Sequence, residues 1–254
     1  MKFPRIDNAT RVVLEEGPTR PAFLEQAPPT TPPTNRAKTR FVELCARSTF
    51  SGISIDGVAD GFGRASVSWP GSGTPEEIVE RAPVIGADVV AVVDVDTVAG
   101  VVRAHRRARE LKLRSIVGCE FRLPAGEGGG SVVVHAADKG GWQNLCALLT
   151  NARRGLEKGV IAWRFDDVVA HAAGLFLTVL PPFELERLEA LRDVFGDRLS
   201  IGVWRHGTPE DAPRLGWCWR HSQRLEVPLL ATSRSFLVER SAGFGRGLAY
   251  ATGN

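Results

Sequence analysis

The side chains of this sequence that could do chemistry stand at the ends of apolar runs. They are the thiol of Cys45 and the carboxylates of Asp94, Asp96 and Glu120. Thiolate and carboxylate groups bind divalent metal ions, so the first chemistry to consider is a metal centre that activates water. A centre with two or three metals needs many nitrogen and oxygen donors that converge from several strands. A single thiolate with so few carboxylates is a poor site of that kind.

Seven near-continuous apolar runs predict the strands that position these residues, since strands covered on both faces have this pattern. The runs are 41–46, 88–95, 115–121, 131–137, 175–180, 199–204 and 228–233. Helical patterns separate them. The first is a capping box with proline at the first helical position, Thr74-Pro75-Glu76-Glu77, which Pro83 should end or kink early. Further helices are expected at about 98–113, 140–153, 166–173, 184–195 and 209–226.

The alternation of strands and helices predicts an α/β fold with a parallel sheet. No G-x-G-x-x-G follows any strand, which favours a closed seven-stranded barrel over an open nucleotide-binding sheet. In such barrels the chemistry lies at the carboxyl ends of the strands, which is where the polar segments stand.

The sequence outside these elements suggests one domain with two irregular segments. Residues 1–39 are rich in proline and are expected to form an extended, mostly disordered leader. Residues 51–73 are rich in glycine and serine and are expected to form a loop insertion. The barrel domain is therefore expected to span residues 40–254.

Composition excludes several classes of protein. The chain has 254 residues and a formal charge of +3, from 32 basic and 29 acidic side chains. That balance argues for weak or absent direct binding of nucleic acid. No apolar run is long enough for a membrane span, and the first residues lack a signal-peptide core. The four cysteines form no C-x-x-C pair, so reduced thiols in the cytoplasm are expected.

Several segments of the sequence resemble, in their order and spacing, the polymerase and histidinol phosphatase (PHP) domain. These segments are FVELCARSTFS, TPEEIVERAPVIGADVVAVVDVDTVAGVVRAHRRARELKLRSIVGCEF, VVVHAADKGGWQNLCALLTNAR, FGDRLSIGVWRHG and VPLLATSRSF. They are most similar to the N-terminal PHP domain of bacterial C-family and error-prone DNA polymerase III alpha subunits. The resemblance covers about residues 41–240. It implies a distorted seven-stranded, TIM-like β/α barrel that in active members holds two or three divalent metals and hydrolyses phosphoesters.

The first two metal-binding motifs of this family are altered here. The resemblance places its first motif, His-x-His, on Cys45 and Arg47. Its second motif, Thr-Asp-His-Asp, falls after the second strand, where Val95 replaces the ligand histidine between Asp94 and Asp96. Valine donates nothing to a metal, and a guanidinium stays protonated, so it repels a cation.

The later motifs keep one ligand position. Glu120 matches the glutamate that closes the third strand. A family histidine at the start of the next strand falls on Ser131, and the final Asp-x-His falls on Arg234 and Phe236. None of the five histidines occupies a ligand position. No metal is therefore expected, and any residual manganese or zinc site would have to use Cys45, Asp94 and Glu120.

Two arginines at ligand positions suggest what replaces the metal. An acidic cluster without its cation would carry uncompensated charge, which is costly when buried. The sequence therefore predicts guanidinium–carboxylate contacts in the barrel mouth, as an Arg47–Glu120 or an Arg234–Asp94 pair. The alternative is that both arginines are ordinary surface residues in loops.

Three functions remain open on the sequence. The first is a catalytically degenerate PHP-like protein, a protein-binding or relic module linked to DNA replication or repair, whose partner is a DNA polymerase or repair protein. The second is a metal-dependent phosphoesterase or 3′–5′ exonuclease with a remodelled site that uses Cys45, Asp94, Asp96 and Glu120. The third is the start of a polymerase whose later part is encoded elsewhere, because the resemblance includes no polymerase palm.

Overall fold

The computed structural model describes residues 42–51, 73–84, 86–157 and 160–234, with Gly71 and the backbone of two strands at 54–59 and 65–68. The expected leader at 1–39 and the site position Phe236 lie outside the described residues. The described residues include nine strands: β1 Glu43–Ala46, β2 Ser54–Ala59, β3 Ala65–Ser68, β4 Val89–Val95, β5 Arg114–Arg122, β6 Ser131–Ala136, β7 Leu175–Leu180, β8 Leu199–Val203 and β9 Leu229–Ala231.

Six helices lie between the strands of the described chain: α1 Pro75–Val84, α2 Val101–Glu110, α3 Lys139–Asn151, α4 Phe165–Ala170, α5 Leu185–Phe195 and α6 Asp211–Leu225. The capping box at the start of α1 is formed, since Thr74 N–H donates to Glu77 Oε2 at 2.7 Å and Glu77 N–H donates to Thr74 Oγ1 at 3.3 Å. Among the described residues, no helix combines the length and apolarity that crossing a membrane requires.

Seven strands form one curled sheet in the order β1-β4-β5-β6-β7-β8-β9. Most neighbours are parallel, but β6 runs antiparallel to both β5 and β7, so the expected all-parallel sheet is wrong at this strand. The cause is the connection over residues 123–130, which joins the paired ends Arg122 and Ser131. A parallel crossover needs a dozen or more residues, so this short link can only make a hairpin.

Side chains connect the two edge strands of the curled sheet. The buried carboxylate of Glu43 on β1 accepts hydrogen bonds from Thr232 and Ser233, which directly follow β9. His135 of β6 contributes a second bridge, because its Nε2 lies 2.9 Å from the carbonyl oxygen of Leu44 on β1. The sheet therefore curls far enough to bring β6 and β9 within hydrogen-bond reach of β1.

The segment 51–73, expected to be a loop, contains regular structure. Strands β2 and β3 pair antiparallel within it, with Ser54 opposite Ser68 and Ala59 opposite Ala65. The expectation of an irregular loop is therefore wrong for these two strands. The high glycine and serine content of the segment obscured these strands, because both residue types are typical of loops.

The apolar core has layers outside and inside the sheet. The largest cluster packs α3 to α6 against the outer face, with fully buried Leu145, Leu177 and Leu188 at its centre. A smaller cluster packs α1 and α2 against β4. Inside the curl, Val93, Val133 and their neighbours form a third cluster below the polar strand ends. The site is thus carried on strands buried on both faces.

Gly118 on β5 leaves room for the ring of His135 inside the curl. A Cβ at this position would lie 2.6 Å from the carbonyl oxygen of Val134 and 2.8 Å from His135 Cδ2. We expect Gly118→Ala to lower the free energy of unfolding by about 1–3 kcal/mol through overpacking. Urea denaturation measures this loss. Gly216→Ala in helix α6 is the matched control, and we expect it to raise stability by roughly 0.5–1 kcal/mol through helix propensity. Equal effects of the two substitutions would contradict the packing at Gly118.

Candidate functional site at the carboxyl ends of the strands

A buried ion pair occupies the mouth of the curled sheet. Strand β5 places Glu120 beside the end of β4, where its backbone pairs with Val95. Arg47, just after β1, donates from Nη2 to both carboxylate oxygens of Glu120 at 2.6 Å and from Nε to Oε2 at 3.1 Å. The Glu120 side chain is 1% exposed and that of Arg47 10% exposed. The predicted Arg47–Glu120 pair is therefore present.

A second guanidinium binds the same carboxylate. Arg234, which follows β9, donates from Nη2 to Glu120 Oε1 at 2.9 Å. Its guanidinium carbon also lies 4.7 Å from the ring centroid of Trp204, a cation–π contact. The predicted Arg234–Asp94 pair is wrong, because Glu120 takes this partner. One carboxylate thus binds two arginines, at positions that the sequence resemblance assigns to metal ligands.

The charges of this cluster set the ionisation of Glu120. Burial alone would raise its pKa, but the attraction of Arg234 and Arg47, with the hydrogen bonds from Arg47, lowers the pKa to about 2. Burial lowers the pKa of Arg234 below its usual value, and the nearby charge of Glu120 opposes that effect. A guanidinium remains protonated at neutral pH in proteins, so all three groups are charged.

Asp94 is buried at the end of β4 and is held by neutral donors. Its Oδ1 accepts hydrogen bonds from Ser48 N–H at 2.7 Å and from Ser51 Oγ at 2.8 Å. The Ser48 hydroxyl contacts both Oδ1 and Oδ2, at 2.9 and 2.8 Å. These hydrogen bonds satisfy the oxygens of a buried carboxylate without a cation. The turn after β1 therefore supplies the hydrogen bonds of Asp94, for which Arg234 was the predicted partner.

Asp96 ties the end of β4 to helix α3 and to the segment that precedes α4. Its Oδ1 accepts a hydrogen bond from the indole N–H of Trp163 at 2.6 Å, and its carbonyl oxygen accepts one from Arg153. Trp163 stacks on Phe121 of β5 with ring centroids 4.0 Å apart. Asp96 therefore has a role in holding the loop after β4 in place.

Cys45 is buried in β1 and its thiol is kept neutral. Burial raises its pKa to about 11, with small opposing effects from Thr232 and Arg234. A thiol with so high a pKa is a poor nucleophile at neutral pH, because the thiolate is the reactive form.

Two further positions predicted from the sequence, Val95 and Ser131, are not part of a group of metal-ligand donors among the described residues. Val95 is buried, and its N–H donates to Ser51 Oγ at 3.1 Å. Ser131 begins β6 opposite Arg122 and Leu180. Within the described part of the chain, no group of three or more histidine, cysteine, aspartate or glutamate side chains is arranged to hold a metal ion.

Two sets of residues near the functional site were not predicted from the sequence. One is Glu43, whose signal was available as a single carboxylate inside the otherwise apolar run FVELCA. The other is the buried pair Asp211–Arg214 at the start of α6, next to Trp204. Asp211 also accepts hydrogen bonds from the backbone N–H groups of residues 206–208. These groups extend the charged cluster below Arg234.

The comparisons with known proteins agree with this architecture. The family model for the PHP domain matches residues 65–181. Residues 65–181 therefore belong to a PHP domain. Over 207 residues the chain is 30% identical to an error-prone DNA polymerase of Rhodopirellula baltica, covering 76% of this chain and 16% of the polymerase. Over 162 residues it is 36% identical to an error-prone DNA polymerase of Pseudomonas aeruginosa, covering 63% of this chain and 15% of that protein.

Two solved structures share the fold of this PHP domain. One is an amidohydrolase from Chromobacterium violaceum with bound sulfate and no metal, with a TM-score of 0.52 and 16% identity over 77% of this chain and 87% of that one. The other is a two-domain protein from Bacteroides vulgatus containing a predicted PHP-like metal-dependent phosphoesterase. Its TM-score is 0.50, with 12% identity over 81% of this chain and 55% of that one. The chain spans about one sixth of the polymerases it matches.

The residues at the mouth of this PHP domain do not fit the divalent metals that the family implies. Two protonated guanidiniums contact Glu120, which the sequence resemblance assigns as a retained ligand. Each would repel a divalent ion placed between them. Asp94 already accepts hydrogen bonds from three donors, the N–H and hydroxyl of Ser48 and the hydroxyl of Ser51, and burial raises the pKa of the Cys45 thiol. The donor chemistry therefore suits a metal-free cluster.

Proposed function

We propose that this chain is a catalytically degenerate PHP-like protein, related to error-prone DNA polymerases, that acts as a protein-binding module in DNA replication or repair. The observation that carries the proposal is the pairing of Arg47 and Arg234 with Glu120. Fixed cations at two ligand positions supply the positive charge that a metal would bring. The acidic mouth then remains folded without any metal that could activate water.

The proposed partner is a DNA polymerase or a DNA repair protein. Its support is the similarity to two error-prone DNA polymerases, in which the matching segment makes up only 15–16% of the protein. In this proposal the seven strands form a closed, distorted TIM-like barrel, with Glu43 and the residues after β9 at its seam. The unpaired cysteines support placement in a reducing cytoplasm.

The retained acids favour one second candidate, a metal-dependent phosphoesterase or 3′–5′ exonuclease. Asp94, Asp96 and Glu120 still stand at the carboxyl ends of neighbouring strands. For this function the guanidiniums would have to leave Glu120 and a metal would have to replace them. Manganese or zinc would be the cofactor, bound through Cys45, Asp94 and Glu120.

Activity assays separate the two candidates. The purified chain is incubated with p-nitrophenyl phosphate and with 3′-labelled single-stranded DNA, each with and without added manganese or zinc. We expect no hydrolysis above the buffer rate, and no difference between the chain and its Glu120→Gln variant. Metal-dependent turnover that Glu120→Gln abolishes would contradict the proposal, because that residue is the kept ligand.

A further inference from the structure

A histidine bridges the interior of the curled sheet. His135 of β6 is 6% exposed, and its Nε2 lies 2.9 Å from the carbonyl oxygen of Leu44 on β1. Because a carbonyl oxygen can only accept a hydrogen bond, Nε2 carries the ring proton and Nδ1 is the nitrogen that can take up another. Strands β6 and β1 are not neighbours in the sheet order, so this hydrogen bond spans the inside of the curl.

Uncharged residues of the neighbouring strands enclose the ring. Gly118 of β5 and Phe176 of β7 lie directly opposite His135 in the two ladders of β6. A Cβ at position 118 would lie 2.8 Å from the ring and 2.8 Å from Val93 of β4, so the ring fills the space beside this glycine. The neutral imidazole therefore fits an enclosure in which a charge would be costly.

The ionisable side chains further along these strands are compensated by other groups. Glu120 on β5 binds two arginines, Asp94 on β4 binds the serines of the turn after β1, and Glu43 on β1 binds the residues after β9. Burial raises the pKa of the Cys45 thiol to about 11. Burial also lowers the pKa of His135, and its hydrogen bond to the backbone opposes that effect. A charged ring is therefore favoured only where water reaches it.

Strand β1 is the wall of this enclosure that can move. It has four residues, stands at one end of the sheet order and has its described backbone ladder with β4, where the register is irregular. Strand β6, by contrast, is paired along both edges. Local opening occurs where few interactions hold a segment, so β1 is expected to open before β6. Arg47 directly follows β1 and moves with it.

We propose that His135 is an acid-sensitive latch that holds β1, and with it Arg47, against the interior of the sheet. The neutral ring donates to Leu44 and keeps β1 in place. The charged ring gains hydration when β1 moves away, and this movement separates Arg47 from Glu120. The latch goes beyond the proposed binding function and does not depend on it.

Hydrogen exchange of the whole chain, followed by mass spectrometry between about pH 7.5 and about pH 5.5, tests the latch. An unperturbed histidine titrates near pH 6.5. A lowered pKa in the closed state stabilises that state above this value, and the stabilisation is lost as the pH falls. After correction for intrinsic exchange rates, the opening equilibrium constant of β1 should rise by up to about tenfold per pH unit below about 6.5. Exchange in β8 should stay constant.

His135→Gln is the matching variant, because its side-chain amide can still donate to Leu44 but does not titrate. Opening of β1 should then be independent of pH. His105→Gln, at an exposed position on α2, should keep the pH dependence of the original chain. A β1 that opens no faster in acid, or an acid effect that His135→Gln retains, would overturn the inference. So would exchange in β8 that rises in step with β1, since that reports unfolding of the whole sheet.

Nitrogen NMR of the histidine rings in the original chain gives a readout that needs no variant. We expect His135 to be the Nε2–H tautomer at neutral pH and to gain its second proton only below about pH 6.5. An Nδ1–H tautomer, or a ring that is already charged at neutral pH, would show that the bridge to Leu44 does not depend on a neutral ring and would refute the latch.

Discussion

Replacing Glu120 with glutamine should lower the free energy of unfolding by about 3–5 kcal/mol, as expected when one partner of a buried ion pair is removed. The carboxylate is 1% exposed and is the acceptor for both Arg47 and Arg234. Glutamine keeps the shape of the side chain but removes its charge, so two guanidiniums lose their counter-charge in a region of low dielectric. Urea denaturation followed by circular dichroism measures the change.

The matched control for this prediction is Glu189→Gln. Glu189 pairs with Arg224 at 3.1 Å, with side chains 37% and 60% exposed. A surface pair of this kind contributes about 0–1 kcal/mol, so its loss should be barely measurable. If Glu120→Gln costs no more than Glu189→Gln, the buried cluster does not stabilise the fold and the account of its charge is wrong.

The second large effect is the contribution of Glu120 to the pH dependence of the free energy of unfolding. Its pKa is about 2 in the folded chain against a usual 4.5. A lowered pKa stabilises the fold above the unfolded value of 4.5, and this stabilisation is lost as the pH falls towards 2. The shift corresponds to about 3 kcal/mol. Between pH 5 and pH 2 the original chain should therefore lose about that much more stability than the Glu120→Gln variant.

Comparison of the two chains isolates this group from every other carboxylate. The other acids titrate in both proteins, so the difference between their unfolding free energies reports on Glu120. We expect this difference to be constant above about pH 5 and to shrink steadily below it. Parallel stability curves down to pH 2 would contradict the lowered pKa and hence the close approach of the two guanidiniums.

Much of the frame that carries the site could be predicted from the sequence. The seven apolar runs became the seven strands of the main sheet, because strands buried on both faces have a continuous apolar pattern. The direction of β6 was not predicted, since an apolar run does not reveal whether its strand is parallel or antiparallel to its neighbours. The connection at 123–130 decides the direction, and its shortness was the available signal. The β2–β3 ribbon was hidden by its small residues.

The site was predictable at the level of charge but not of geometry. Buried charge is costly, so the sequence predicted that an arginine would pair with the retained acids. The ion pair between Arg47 and Glu120 confirms this prediction. The partner of Arg234 depends on how the turn after β1 folds back, because Ser48 and Ser51 donate all the described hydrogen bonds of the Asp94 carboxylate. No pattern of residue spacing predicts the conformation of that turn.

If arginines replace the metals at the strand ends, the chain binds no divalent ion, and its metal content decides between a metal-free cluster and a metal centre. The protein is purified without chelators and analysed by mass spectrometry for manganese, zinc and iron, before and after incubation with each ion. Thermal unfolding is followed in parallel with and without a chelator. We predict far less than one ion per chain and an unchanged Tm in every condition. One or more tightly bound ions per chain, with a Tm that rises on adding the ion and a loss of both effects in Glu120→Gln, would contradict the account.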